Sequence, residues 1–272
     1  MSESQSAPKR VTLREIARMK RDGEKLVVVT AYDVLFARVV DASGVDIVLV
    51  GDSLGNVVAG LDSTLPVKLD HMIYHGAAVR RGVRRAFLVV DMPFLSYQAS
   101  IERAILNAGR IMQETSADAV KLEGGSREAV DTVSALIRTG IPVMAHLGFT
   151  PQSVRALGMR VQGRERGDAD RLTEEAIALE DAGAFAIVLE LLPADVAKQI
   201  TAAVSIPTIG IGAGPHCDGQ VLVLPDLLGL NDGFEPKFLK KYANLAGDAR
   251  AAVEKYADEV RSGAYPDASH SN

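Results

Sequence analysis

The sequence predicts an α/β protein, a single-domain (β/α)8 TIM barrel, and three observations lead there. Short runs rich in Val, Ile and Leu recur at intervals of roughly 20 to 45 residues. They lack strict alternation, the pattern of parallel strands covered on both faces. Amphipathic stretches ending in glycine separate them, and 272 residues is close to the ~250 of a complete barrel. Eight strand-sized runs favour a closed barrel over the alternative, an open doubly wound sheet.

The elements follow in order. Residues 12–21 read as an extra helix ahead of the first strand, placed to close the bottom of the barrel. Strands are expected at 25–33, 46–52, 87–93, 119–124, 142–148, 185–191, 207–211 and 220–224. Residues 98–115 put Ile101, Ile105, Ala108 and Met112 on one helical face. Residues 127–139 and 170–182 behave alike, with Gly140 and Gly183 in capping positions. Residues 236–261 read as a long C-terminal helical segment with a break near Gly247. The ordered core is expected at about 10–266, with no linker or low-complexity segment, hence one domain.

Composition narrows the function. Lys plus Arg is 30 and Asp plus Glu is 35, a formal charge of −5. That balance gives no electrostatic reason to expect nucleic acid or an anionic membrane, and leaves small-molecule substrates. The single cysteine, Cys217, cannot form an internal disulfide. No apolar run is long enough for a bilayer and the opening MSESQSAPKR has no leader-like stretch, so the expected location is the cytoplasm.

Barrel enzymes carry their chemistry where the strands end at the C-terminal rim. The predicted strand ends carry Asp52 with Ser53, Asp91, Lys121 with Glu123, His146 and Glu190. Asp52, Asp91 and Glu123 are hard oxygen ligands whose convergence would suit magnesium. The plainer reading pairs them with cations or has them cap helices. Lys121 and Glu123, two apart, share a face. Lys121 is open to three roles: holding a substrate carboxylate or enolate, forming a Schiff base, or neutralising Glu123.

Other features carry less. Gly210-Ile211-Gly212-Ala213-Gly214 follows strand seven, a common phosphate position, but its glycines also serve close backbone packing. His71 and His75 lack the glutamate of a zinc-protease helix and read as structural. Cys217 is assigned nothing. Residues 150–169, long and containing Gly158, Gly163 and Gly167, read as a lid.

Taken together, Val50-Gly51-Asp52-Ser53-Leu54-Gly55, Asp62-Ser63-Thr64-Leu65-Pro66 and Lys121-Leu122-Glu123-Gly124-Gly125 form the start of an ordered set. His146-Leu147-Gly148-Phe149-Thr150-Pro151-Gln152-Ser153, Val161-Gln162-Gly163-Arg164, the glycine cluster at 210–214 and Asp218-Gly219-Gln220 continue it. The set resembles the ketopantoate hydroxymethyltransferase family from about Thr12 to Tyr256. The resemblance implies transfer of a hydroxymethyl group from 5,10-methylenetetrahydrofolate to 3-methyl-2-oxobutanoate, giving 2-dehydropantoate for pantothenate synthesis. It implies Mg2+ held by Asp52 and Asp91, with Glu123 in the metal's near shell. Ser53 and Lys121 would contact the substrate carboxylate, His146 would line the pocket and Glu190 would be the base. A homo-oligomer, a decamer, is also implied. The sequence departs from the family at Ala156-Leu157-Gly158-Met159-Arg160 and at Gly76, positions that bear on loop mobility and folate contacts.

Two other readings remain at this stage. A lyase or mutase of the phosphoenolpyruvate and isocitrate lyase type would use a Lys-Lys-Cys-Gly-His motif, which the chain lacks. A non-catalytic, ligand-binding barrel leaves the converging charges unexplained.

Overall fold

The computed structural model describes residues 9–158, 161–165 and 167–271. Eight parallel strands close in sequence order: β1 Leu26–Thr30, β2 Ile47–Val50, β3 Phe87–Asp91, β4 Ala119–Glu123, β5 Val143–Gly148, β6 Ala186–Glu190, β7 Thr208–Ile211 and β8 Gly219–Leu222. The closing pair is β1 with β8, in the register Leu26 to Gly219. The helices are α1 Leu13–Asp22, α2 Val34–Ala42, α3 Leu54–Val57, α4 Leu69–Arg80, α5 Ile101–Thr115, α6 Arg127–Arg138, α7 Val154–Leu157, α8 Asp168–Asp181, α9 Ala194–Ala203, α10 Leu224–Leu227 and α11 Leu245–Ser262. The described chain forms two compact units, one running to Val223 and one from Leu224.

Local signals set the helix ends. Thr12, Asp33, Ser100 and Ser126 cap α1, α2, α5 and α6 through their side-chain oxygens. That is why α5 begins at Ile101 and not at Gln98. Gly140 and Gly183 lie one residue beyond the C-caps of α6 and α8 in the left-handed region, φ 85° and 98°.

Period two builds the barrel interior. One face of β3 carries Phe87, Val89 and then Asp91; one face of β4 carries Ala119, Lys121 and Glu123. Met144 precedes His146 on β5, and Ala186 and Val188 precede Glu190 on β6. The apolar members form one buried cluster with Leu26, Val28, Ile47, Leu49, Ile209 and Val221. Val11, Ile16 and Met19 belong to the same cluster, so α1 packs onto the N-terminal end of the barrel as expected. Each of these strands therefore starts apolar and ends ionisable on its inner face.

The second unit holds α10, a turn and α11. The long helix expected over 236–261 starts later, at Leu245, and runs unbroken through Gly247. A Cβ on Gly247 would lie 2.6 Å from the Asn244 amide nitrogen. The glycine thus admits the N-cap side chain over the first turn and breaks nothing. Residues 236–244 are turns and extended chain, with the Tyr242 N–H bonded to the Leu227 carbonyl at 2.8 Å. Among the described residues no helix is long and apolar enough to cross a membrane.

Gly148 at the end of β5 has φ 94°, and a Cβ there would strike the Glu190 carbonyl oxygen. Gly148→Ala is expected to destabilise the fold by about 3 kcal/mol or more through strain and collision. Urea denaturation measures this, and a loss below about 0.5 kcal/mol would contradict it.

Candidate active site

Strand register brings the ionisable residues to one level. Asp91 pairs with Lys121, Glu123 with His146, and Gly148 with Glu190. Asp52 follows β2, and its backbone N–H donates to Asp91 Oδ2 at 3.0 Å. Gly51 makes room, since a Cβ there would meet Ser53 Oγ at 2.7 Å and Asp91 Oδ2 at 3.6 Å. Asp52, Asp91, Lys121, Glu123 and His146 are all buried. The six predicted residues other than Ser53 thus form one connected set; Ser53 sits at its edge, with Oγ 2.8 Å from the Tyr32 hydroxyl.

Lys121 is the centre. Its Nζ lies 3.1 Å from Asp91 Oδ1 and 3.4 Å from His146 Nδ1. Burial alone would lower its pKa, but Asp91, Glu123 and Asp52 together outweigh burial and raise it. An ammonium so held is a poor Schiff-base nucleophile, which removes that option. Asp52 is pushed up to about 7 by burial and then by the Asp91 charge. Glu123 is raised well above the ordinary range by burial and by Asp52.

His146 lies well below its usual pKa because it is buried and next to Lys121. It is therefore neutral. An ammonium can only donate, so Nδ1 is the acceptor and Nε2 carries the proton. Nε2 faces Glu190 Oε2 at 3.2 Å. Glu190 keeps 18% side-chain exposure and is raised to about 7, mainly by burial, with Lys121 opposing.

Two residues that were given no role in the sequence complete the arrangement. Gln152 donates from Nε2 to Asp52 Oδ2 at 2.9 Å and from its backbone N–H to Glu123 Oε2 at 3.0 Å. The Tyr97 hydroxyl accepts from the Glu123 N–H at 3.0 Å and lies 2.9 Å from Gln152 Oε1. A polar residue directly behind Pro151 at a strand exit was the available signal for Gln152.

His71 Nδ1 accepts from the Lys68 N–H at the start of α4, and His75 Nδ1 lies 2.6 Å from the Tyr32 carbonyl, so both are structural. Gly210 is needed for packing, since a Cβ would meet Cys217 Sγ at 3.0 Å. The segment 150–169 starts as a one-turn 3-10 helix, Pro151–Ser153, followed by α7. Met159, Arg160 and Arg166 of the expected lid lie outside the described residues.

A parallel barrel with a carboxylate belt around one lysine at its C-terminal mouth has the layout of a (β/α)8-barrel enzyme. Solved structures share this fold. Phosphonopyruvate hydrolase, solved with oxalate and Mg++, matches with TM-score 0.59 at 14% identity over 95% of this chain and 93% of that one. 2,3-Dimethylmalate lyase, a PEP mutase/isocitrate lyase superfamily member, matches with TM-score 0.57 at 16% identity over 96% and 91%. The family profile described as ketopantoate hydroxymethyltransferase covers residues 10–268. The 3-methyl-2-oxobutanoate hydroxymethyltransferase of Moorella thermoacetica is 57% identical over 96% of this chain and 97% of its own length. That of Syntrophus aciditrophicus is 52% identical over 98% of each. The chain belongs to the ketopantoate hydroxymethyltransferase family, and it is a transferase.

The Glu190 environment has a thermodynamic consequence. A carboxyl raised in the folded state favours folding below its unfolded pKa of 4.5, and that advantage is lost as pH rises through about 7. Neutral glutamine escapes this. Glu190→Gln should gain stability relative to the parent between pH 4.5 and 8, by roughly 2 kcal/mol once residual solvation is allowed for. Urea midpoints at about pH 5 and pH 8 test it, and a pH-independent difference would refute it.

Proposed function

We propose that this enzyme transfers a hydroxymethyl group from 5,10-methylenetetrahydrofolate to 3-methyl-2-oxobutanoate, forming 2-dehydropantoate. The names of its relatives support the acceptor and the reaction. The observation that carries the mechanism is the Glu190–His146 contact. His146 Nε2 lies 3.2 Å from Glu190 Oε2, outside hydrogen-bond geometry. The Nδ1 lone pair of His146 is taken up by Lys121, so the imidazole has no lone pair to spare. Glu190 does, and its raised pKa suits a general base.

Among the described residues no group of three or more His, Cys, Asp and Glu side chains is arranged to enclose a metal. Magnesium needs less, using one or two carboxylates and completing its octahedron with waters and substrate oxygens. The donor set suits that. Asp91 Oδ1 is buried and accepts no hydrogen bond, since Lys121 approaches it off-axis. Asp52 is raised first by burial and then by its carboxylate neighbour Asp91, and that second contribution is what a pair short of positive charge shows. Asp52 and Asp91 would hold Mg2+, with Glu123 in its near shell. Bound there, the ion supplies Lewis-acid polarisation of a 2-oxo acid.

The chain's own groups account for the rest. Lys121 and Ser53 bind the substrate carboxylate. Glu190 takes the C3 proton, with the neutral imidazole of His146 packed beside its carboxylate. The resulting enolate carbon attacks the methylene carbon of the folate donor as one C–N bond to that carbon breaks, its electron pair going to the folate nitrogen. Water as co-substrate then replaces the second folate nitrogen, which leaves the hydroxyl on the transferred carbon and releases tetrahydrofolate. Before that step the buried belt keeps water from reprotonating the enolate. We place the enzyme in the cytoplasm, as a single-domain protomer of a decamer.

Deuterium exchange at C3, with Mg2+ and without folate, tests the base. The rate should rise with pH through about 7 as Glu190 ionises. Glu190→Gln should lose exchange by ~10²–10⁴-fold and still bind Mg2+ and the 2-oxo acid. Normal exchange in Glu190→Gln together with its loss in His146→Gln would move the base to His146.

A second experiment tests the cation. Turnover of 3-methyl-2-oxobutanoate with methylenetetrahydrofolate should stop with chelator and return with added Mg2+. Calorimetry on Asp52→Asn and Asp91→Asn should find magnesium-dependent 2-oxo acid binding weakened. Undiminished turnover in chelator would exclude a required metal.

A further inference from the structure

Gln152 is buried although it lies in a loop. It is the middle residue of the Pro151–Ser153 turn directly behind β5. Its Nε2 donates to Asp52 Oδ2 at 2.9 Å and to the Met92 carbonyl at 3.0 Å. Its Oε1 lies 2.9 Å from the Tyr97 hydroxyl and accepts from Gln98 Nε2 at 3.1 Å. Its own N–H holds Glu123 Oε2 at 3.0 Å. A primary amide has two donors and one carbonyl oxygen, and all are engaged. Because the Met92 carbonyl can only accept, the Gln152 amide has one orientation, with its nitrogen towards Met92 and Asp52. One residue therefore ties the exits of β2, β3 and β4 to the turn after β5.

We infer that Gln152 is a positioning residue for the divalent-cation site. Its amide orients the Asp52 carboxylate and couples cation binding to docking of the turn that continues into α7. This rests on the reading of Asp52 and Asp91 as the cation's holders. Hydrogen-bond partners of ligating carboxylates set their orientation and basicity, and their loss costs ~10–100-fold in metal affinity. The coupling is reciprocal: what docks the turn tightens the cation, and the cation steadies the turn.

The test uses the full chain, with Mn2+ as a paramagnetic probe in the presence of 3-methyl-2-oxobutanoate. Gln152→Met keeps length and removes every side-chain hydrogen bond. It should weaken Mn2+ by ~10–100-fold. In the parent, Mn2+ should slow tryptic cleavage after the exposed Arg155 of α7; in Gln152→Met it should not. Activity of the variant should recover at saturating Mg2+, which a general packing lesion would not allow. Tyr97→Phe removes one lock on Oε1 and should weaken Mn2+ by ~2–10-fold; it decides the matter if Gln152→Met does not fold. Parent-like Mn2+ affinity in the folded Gln152 and Tyr97 variants, with loss in Asp52→Asn, would overturn the positioning role and leave the cation site standing. Parent-like affinity in Asp52→Asn would overturn the cation site and this inference with it.

Discussion

The ammonium of Lys121 is the interaction on which the mouth of the barrel depends. Asp91, Glu123 and Asp52 all raise its pKa, and it in turn lowers Asp52, Glu123 and Glu190 against the effect of burial. A buried carboxylate is costly without a partner, and three together more so. One cation cannot neutralise three anions. Burial and the residual imbalance together raise Asp52 and Glu123, and the imbalance makes the belt receptive to a second positive charge.

The same lysine separates two kinds of carboxylate. Asp91 is close to it and close to Asp52. Glu190 reaches it only through the imidazole of His146. The imidazole stays neutral because a full positive charge beside an ammonium, away from water, would be opposed twice. A proton-accepting carboxylate and a charge-binding pair therefore coexist within one small mouth. Environment sets their different tasks, since the side chains are chemically alike.

Backbone geometry carries much of this at low cost. β-strand alternation puts Lys121 above Ala119 and Glu190 above Val188 on the inner face. The apolar lower layer, sealed by Val11, Ile16 and Met19, lets the upper layer be almost wholly polar. Gly51 and Gly148 sit where a side chain would displace the Ser53 hydroxyl or the Glu190 carbonyl. The turn at Pro151–Ser153 then adds Gln152 as a strut across three strand exits.

The eight strands, the extra first helix and the inner face of β4 were legible from the sequence alone, because parallel strands and amphipathic helices announce themselves through local periodicity. So was the set Asp52, Asp91, Lys121, Glu123, His146 and Glu190, since strand ends are where barrel chemistry lies. The late start of α11 was not legible: an apolar pattern over 236–244 satisfies helical spacing, and backbone bonds from Tyr242, Leu245 and Ala246 to the carbonyls of Leu227, Leu228 and Gly229 select turns instead. Nor was the state of each site residue. That Lys121 stays charged, that His146 stays neutral beside it, and that Gln152 joins Asp52 to Glu123 all follow from how the strand exits meet. Gln152 and Asp52 are 100 positions apart, a separation at which side-chain types carry no record of distance. Chain-local forces settle which residues face inward; the closure of the barrel decides which of them touch, and contact sets their charge.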